Sequence, residues 1–156
     1  MCLDEEVLFL QKNTNASLYP GLLVPVGGHM EHDEINDPKK ACIREVEEET
    51  GLLSEQIDQL TLRYIVSRIK GKDEIRIQYV FFGTVSKRFT LIDSDEGSLT
   101  WTKISDIARE EISATTNEII CHFLDVGKQT QGVYVGCMKS SAGKPGITWG
   151  SLEDWE

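Results

Sequence analysis

The sequence predicts an α/β or α+β domain built around a mixed β-sheet. Short apolar runs typical of strands interleave with two amphipathic segments of helical period, so strands and helices alternate along the chain. The 156 residues, 40% hydrophobic and 27% charged, have the size and composition of one globular domain. We find no internal repeat and no linker, which predicts a single domain over residues 1–156.

The N-terminal third of the chain contains two strand signals and one well-marked helix. Residues 6–11 and 22–26 are short apolar runs bounded by polar or glycine residues, and each is predicted to form a strand. Asp37 followed by proline is a helix-start signal, because aspartate caps free N–H groups and proline fits the first turn. The helix is predicted over Pro38–Thr50, with Gly51 ending it.

Alternating apolar and polar residues dominate the middle of the chain. Residues 60–70 and 74–86 alternate on either side of a Gly-Lys-Asp turn, which predicts a β-hairpin. Residues 99–103 are predicted to form a further strand, and residues 105–110 a short helix.

The last part of the chain combines one helix, one strand and a tail of mixed character. A helix capped by Thr115 or Thr116 is predicted to reach about residue 126, and residues 132–138 are predicted to form a strand. The tail of residues 140–156 is rich in glycine and serine. Two aromatic residues predict that part of it packs: Trp149 and Trp155.

Composition and charge exclude several classes of function. The formal net charge of −10 argues against duplex nucleic acid as a partner, because neutralising phosphates requires clustered lysine and arginine. No apolar run approaches the length of about 20 residues that a membrane span needs, and no signal peptide is recognisable, so a cytoplasmic location is expected. The four cysteines form no CxxC pair, which argues against a zinc site or a disulfide framework.

Three carboxylates are predicted to share one face of the helix. At helical spacing Glu45, Glu48 and Glu49 lie within about 100° of arc, where like charges repel and weaken an isolated helix. A hard divalent cation with oxygen ligands would compensate the repulsion. The alternative is a solvated acidic face with no ligand.

Residues 28–52 carry the pattern G-x5-E-x9-R-E-V-x-E-E-x-G-L, which resembles the Nudix box of the nucleoside-diphosphate-X hydrolases. The family's box has seven residues between its first glutamate and the arginine, whereas this chain has nine. The two extra residues fall in the loop before the helix and put the position of Glu34 in doubt. The resemblance implies the Nudix fold, a mixed β-sheet sandwiched between helices.

The resemblance also implies roles for the residues of the box. Glu45, Glu48 and Glu49 match the family's metal-binding and base-assisting glutamates, and Arg44 matches the arginine that orients a glutamate. The backbone of Gly28 is expected to approach the metal and supply a carbonyl ligand. Glu34 is expected to stabilise the loop rather than to bind metal.

Outside the box the resemblance implies one more metal ligand and several substrate contacts. Glu96 matches an acidic ligand in the loop before a strand that contains Trp101, although a solvent-exposed acid is the alternative. The predicted substrate-binding residues are Lys12, Asn117, Gly27 and Gly28. Lys12 could instead be a plain surface lysine, Asn117 a helix cap, and Trp101 a core aromatic residue.

The implied function is magnesium-dependent hydrolysis of a nucleoside diphosphate linked to another group. The favoured reaction converts an oxidised purine nucleoside triphosphate, such as 8-oxo-dGTP, to the monophosphate and pyrophosphate, with Mn²⁺ able to replace Mg²⁺. The partner is then a small nucleotide, and the protein is a monomer or homodimer. Two alternatives remain: hydrolysis of ADP-ribose or a dinucleoside polyphosphate, and a non-catalytic module that binds a nucleotide.

Overall fold

The computed structural model describes residues 1–92, 95–107 and 110–156, and it is a mixed α+β fold with a mixed multi-strand sheet and two helices, as predicted. The chain divides into two compact units. The first comprises Met1–Thr61 and Phe82–Ser113, and the second comprises Leu62–Phe81 and Ala114–Glu156. The helices are α1 (Pro38–Thr50) and α2 (Ala114–Asp125), and the strands are β1 (Cys2–Leu3), β2 (Glu6–Lys12), β3 (Leu23–Pro25), β4 (Asp58–Lys70), β5 (Glu74–Thr84), β6 (Gly97–Lys103), β7 (Val133–Ser141) and β8 (Lys144–Leu152).

Strand β2 is the centre of the sheet in the first unit. It pairs antiparallel with β1 and β3 along one edge and with β6 along the other. The strands predicted at residues 6–11, 22–26 and 99–103 are thereby confirmed. The inward side chains of this unit form a buried cluster whose fully buried members are Leu8, Val46, Leu52 and Val85.

Helix α1 begins and ends at the predicted residues. The carboxylate of Asp37 accepts a 3.0 Å hydrogen bond from the N–H of Lys40, which caps the first turn. Gly51 ends the helix with φ +73°, and its N–H donates to the carbonyl of Glu47 at 2.8 Å. A Cβ at Gly51 would also lie 2.7 Å from Ile92, so glycine satisfies both the backbone conformation and the packing.

Strands β4 and β5 form the predicted hairpin and contribute residues to both units. In the second unit β4 pairs in parallel with β7, and β7 pairs antiparallel with β8. The β7–β8 hairpin turns at Ala142 and Gly143, which both have positive φ, as a tight two-residue hairpin turn requires. The tail is therefore mainly a strand. Trp149 packs against Tyr64, so part of the tail packs as predicted, whereas Trp155 is 92% exposed and does not contribute to that packing.

Helix α2 starts earlier than the sequence predicts. Its first residue is Ala114, so Thr115 and Thr116 lie inside the first turn and the prediction that either caps the helix is wrong. The buried side chain of Thr116, 4% exposed, faces the protein instead of the helix end. The short helix predicted at 105–110 includes residues 108 and 109, which lie outside the described residues. Within the described ranges no helix is long and apolar enough to cross a membrane.

An aromatic cluster holds α2 against the sheet of the second unit. The ring of His122 lies 4.6 Å from that of Tyr134 and 4.8 Å from that of Trp149, between ring centroids. The hydroxyl of Tyr64 lies 3.2 Å from Nδ1 of His122, and burial raises the pKa of Tyr64 to about 12. Burial also lowers the pKa of His122 below its ordinary value.

The His122 shift predicts acid-sensitive packing of this cluster. Because the folded pKa is lowered, the unfolded chain takes up a proton first as the pH falls through about 6.5, and unfolding becomes easier. Between pH 7.5 and 5.5 we expect the Tm of the wild type to fall by a few degrees more than that of His122→Asn. The exposed His32 provides the control. Thermal melts of His32→Asn should follow the wild type, and equal falls for all three proteins would contradict the assignment.

Candidate active site

The three predicted carboxylates of α1 differ in their surroundings, and Glu49 is the most buried of them. Its side chain is 8% exposed, and its Oε2 accepts a 2.8 Å hydrogen bond from the N–H of Gly27. Gly27 has φ +142°, a conformation that side chains disfavour, so a glycine is needed to present this N–H. Burial raises the pKa of Glu49. A neighbouring positive charge would therefore stabilise the ionised form.

The carboxylate of Glu45 lies against the backbone of Gly28. A Cβ built on Gly28 would lie 2.5 Å from Oε2 and 2.7 Å from Oε1 of Glu45. Any larger residue would therefore displace the carboxylate. The two consecutive glycines thus act differently. Gly27 donates its N–H to Glu49, and Gly28, which has no side chain, leaves space for the carboxylate of Glu45.

Arg44 is the centre of a network that joins the helix to the preceding loop. Its Nε and one terminal nitrogen donate to the two oxygens of Glu34, both at 2.9 Å, which is a bidentate pair. The other terminal nitrogen donates to Glu45 at 2.9 Å and to Glu48 at 3.0 Å. A further bond of 3.0 Å goes to the carbonyl of His29. The arginine therefore holds three carboxylates at once.

Glu34 serves as an anchor for the loop that carries the two extra residues. It is 2% exposed and accepts a 3.0 Å bond from the N–H of Glu31. The hydrogen bonds from Arg44 lower the pKa of Glu34 to about 2. The inserted segment extends outward, since Ile35 is 68% exposed. Glu34 therefore pairs with Arg44 in spite of the two extra residues between them. Each of its two carboxylate oxygens already accepts a hydrogen bond.

Lys12 and Glu96 meet where β2 ends and β6 begins. Lys12 is in register with Gly97, and a Cβ on Gly97 would overlap the carbonyl oxygen of Gln11, so the two backbones approach closely. The N–H of Asn13 donates to the carbonyl of Glu96 at 3.1 Å. The ammonium of Lys12 forms an ion pair with the carboxylate of Glu96. The side chain of Lys12 is 16% exposed, which is less than for a fully solvated surface lysine.

Asn117 and Trp101 do not lie on α1 with the three carboxylates: Asn117 lies on α2 and Trp101 on β6. Asn117 is exposed in the first turn of α2, within the second unit, and because α2 begins at Ala114 its alternative role as a helix cap is wrong. Trp101 packs against the buried cluster of the first unit, which favours its reading as a core residue.

Sequence reasoning missed which charges pair with which. It expected Arg44 to orient a glutamate but did not identify Glu34 as its bidentate partner, and it did not connect Lys12 to Glu96. The second pair follows from strand register, because β2 and β6 bring residues 12 and 97 side by side. A prediction of the β2–β6 pairing would have found it.

The donor chemistry of this region fits a hard divalent cation. It offers carboxylate oxygens from α1 together with a glycine backbone whose missing Cβ leaves a cradle beside Glu45. Within residues 1–92, 95–107 and 110–156, no three acidic, histidine or cysteine side chains already converge as a ready-made ligand set. Arg44 forms ion pairs with Glu45 and Glu48, and Lys12 forms one with Glu96. These carboxylates, which a metal cation would bind, are thus already paired with positively charged side chains of the protein.

An α+β fold with a glutamate-bearing helix beside a double glycine is the arrangement that the sequence resemblance predicts for a pyrophosphohydrolase. Comparison with family models gives a match to the NUDIX domain over residues 1–123. The chain therefore belongs to the NUDIX domain family, which confirms the resemblance seen in the sequence, and it is a Nudix hydrolase. Hydrolases of this family generally use divalent metal ions.

Solved structures support the fold. A MutT protein from Bacillus halodurans aligns at 23% identity, with a TM-score of 0.66, over 95% of this chain and 90% of that one. An Ap4A hydrolase from C. elegans aligns at 20% identity, TM-score 0.63, over 80% and 88%. The NUDIX domain of NrtR from Shewanella oneidensis, in complex with ADP ribose, aligns at 15% identity, TM-score 0.61, over 80% and 78%. Comparison with curated proteins gives no match.

Proposed function

We propose that this Nudix hydrolase converts a purine nucleoside triphosphate, preferably an oxidised one such as 8-oxo-dGTP, to the monophosphate and pyrophosphate with Mg²⁺. The observation that carries the catalytic part is the hydrogen bond from Gly27 to Glu49, together with the Glu45 carboxylate filling the space that a side chain at position 28 would need. It holds two carboxylates of one helix face at a backbone turn that has no side chains to obstruct a phosphate.

In this proposal Glu45, Glu48 and Glu49 would hold the ion, and the Gly28 carbonyl and Glu96 would be further oxygen donors. When bound there, a divalent ion would supply positive charge beside the phosphate oxygens and would lower the pKa of a water molecule. The water oxygen forms a bond to phosphorus and gives its proton to a glutamate of the box, while the phosphoanhydride bond between the α- and β-phosphates breaks and pyrophosphate leaves. Arg44 is itself fixed by its bidentate hydrogen bonds to Glu34. Its other hydrogen bonds keep Glu45 and Glu48 in position.

The choice of a triphosphate rests on the extent of the structural likeness and on the sequence. The alignment with the MutT protein covers 95% of the chain, whereas those with the Ap4A hydrolase and the ADP-ribose complex cover 80%. Relatives that act on ADP-ribose often carry a proline some fifteen residues after the box, and here the next proline after Pro38 is Pro145. The retained glutamates of the box favour an enzyme over a module that only binds nucleotide.

A panel of nucleotides with Mg²⁺ tests the proposal. We expect 8-oxo-dGTP to be the best substrate, with pyrophosphate rather than orthophosphate as the product, and ADP-ribose and dinucleoside polyphosphates to be poor substrates. Orthophosphate from the triphosphates would show attack at the terminal phosphate. A higher kcat/KM for ADP-ribose or for a dinucleoside polyphosphate would replace the proposed substrate by that compound.

The proposed role of Asn117 in reading the base predicts a change of selectivity. Asn117→Ala should leave a donor or acceptor of the purine unpaired and cost about 1–3 kcal/mol of discrimination. The loss should appear in kcat/KM for 8-oxo-dGTP, with dGTP nearly unchanged. Asn36→Ala, which removes another exposed asparagine, is the control and should change neither substrate. An unchanged ratio between the two substrates in Asn117→Ala would remove the residue from base recognition.

A further inference from the structure

The ammonium of Lys12 contacts Glu96, a predicted metal ligand, although Lys12 belongs to strand β2 and not to the box. Its side chain is 16% exposed, and it forms an ion pair with Glu96, whose own side chain is 59% exposed. The positive charge of Lys12 also lowers the pKa of the buried Glu49, whereas the charge of Glu96 raises it, although burial outweighs both. One ammonium thus acts on two carboxylates from different parts of the chain.

The backbone fixes both members of this ion pair. The N–H of Lys12 donates to the carbonyl of Leu22 at 3.0 Å. On the other side, Asn13 binds the loop of Glu96 twice, through its N–H to the carbonyl of Glu96 and through its side-chain amide to the carbonyl of Asp95 at 3.0 Å. Because strand and loop are joined by these bonds, the ammonium and the carboxylate meet without a rearrangement of the chain.

We propose that Lys12 is a built-in counter-ion that competes with the divalent cation for Glu96 and then transfers to the phosphates of the substrate. The inference rests on the proposed function, because it takes Glu96 as a ligand of the cation. A carboxylate oxygen that accepts from an ammonium is a poorer ligand, and a cation bound nearby would repel the ammonium. A lysine on a flexible four-carbon stem can follow that repulsion to an anion within its reach.

The exchange couples the two ligands of the enzyme. The cation favours the state in which Lys12 has left Glu96, and a polyphosphate favours the same state by binding Lys12. By linkage each ligand then strengthens the binding of the other. The lysine consequently opposes the cation when no substrate is bound and assists the substrate once the cation is in place. Its removal should therefore change the affinities for the two ligands in opposite directions.

Calorimetric titration of Lys12→Met tests the proposal, with Lys40→Met as the matched control. Lys40 forms an exposed ion pair with Asp33 at 2.7 Å, so its variant makes the same change of charge outside the site. We expect Lys12→Met to bind Mg²⁺ with a Kd about fivefold lower than Lys40→Met does. At saturating Mg²⁺ it should bind the non-hydrolysable α,β-methylene dGTP about fivefold more weakly. Lys12→Arg, which keeps the charge, should stay near the wild type in both titrations.

Several results would overturn the proposal. They are an unchanged Kd for Mg²⁺ in Lys12→Met, a weakening of both ligands together, or a Lys12→Arg variant that behaves like Lys12→Met. If Lys12→Met does not fold, Lys12→Gln should show the same two results: tighter binding of Mg²⁺ and weaker binding of α,β-methylene dGTP. A wild-type protein that binds no Mg²⁺ would refute the proposed function as well. If the wild type binds Mg²⁺ and Lys12→Met has the same Kd for Mg²⁺ as Lys40→Met, only the counter-ion role of Lys12 is refuted and the proposed function is not.

Discussion

Glu49→Gln should lower the turnover number by about 10³-fold while the fold stays intact. The amide oxygen of glutamine can still accept from the N–H of Gly27, so the local structure is kept and the negative charge is lost. Because burial raises the pKa of Glu49, its ionised form destabilises the folded state at neutral pH. The free energy of unfolding should therefore gain from protonation of Glu49 as the pH falls through the folded pKa. The metal-free variant should therefore melt no lower than the wild type. Steady-state kinetics at saturating Mg²⁺ and a melt measure both effects.

Glu47→Gln is the matched control for this prediction. Glu47 lies on the same helix two positions before Glu49 and is exposed. The same change of side chain there should leave turnover near the wild-type value. Turnover of Glu49→Gln within tenfold of the wild type would mean that the buried carboxylate does not take part in catalysis.

Arg44→Met should cause a large loss of stability. Without the guanidinium, Glu34 remains buried at 2% exposure with its charge uncompensated, and a Tm lower by about 10 °C is expected. Adding Glu34→Met to this variant should recover part of the loss, because the buried charge is then removed. Lys40→Met, which breaks the exposed pair with Asp33, should change the Tm little. Thermal melts of the four proteins measure these differences.

The pH dependence of the same variants provides a second measurement. The pKa of Glu34 is about 2 in the folded protein and is ordinarily 4.5. The stability from this pair is therefore fully present above pH 4.5 and is lost as the pH falls towards 2. In Arg44→Met this acid-induced loss should shrink. A Tm for Arg44→Met equal to that of Lys40→Met would show that Glu34 does not need the arginine.

Local signals explain why α1 could be predicted to the residue. Asp37 and the proline after it define the start of the helix, and Gly51 defines its end, so both boundaries depend on neighbours in the sequence. The start of α2 has no such signal, and a threonine that fits a cap is buried inside the first turn instead. Strand β8 was missed because Gly146 and Gly150 interrupt its apolar pattern.

The candidate site was predictable in its residue types and not in its pairings. Helical periodicity brings Glu45, Glu48 and Glu49 together whatever the rest of the chain does. By contrast, the contact between Lys12 and Glu96 joins residues far apart in sequence and depends on the register of two strands. Sequence alone leaves that register open, and with it the way in which charges are balanced around the glutamates.

The two glycines that interrupt the apolar pattern of β8 lie in a strand at the edge of its sheet. In its unit the strand pairs with β7 and forms the end of the order β4–β7–β8, so its outer edge is a place where a second chain could add. Pro145 offers no N–H there, and a Cβ at Gly146 or Gly150 would meet no atom within 4 Å. Steric space therefore does not require glycine at either position, and the strand pairs residue for residue with β7 in spite of them. Few outward N–H groups of β8 are therefore available to another strand, because Pro145 has none and the N–H of Ile147 donates to the carboxylate of Glu118 at 3.2 Å.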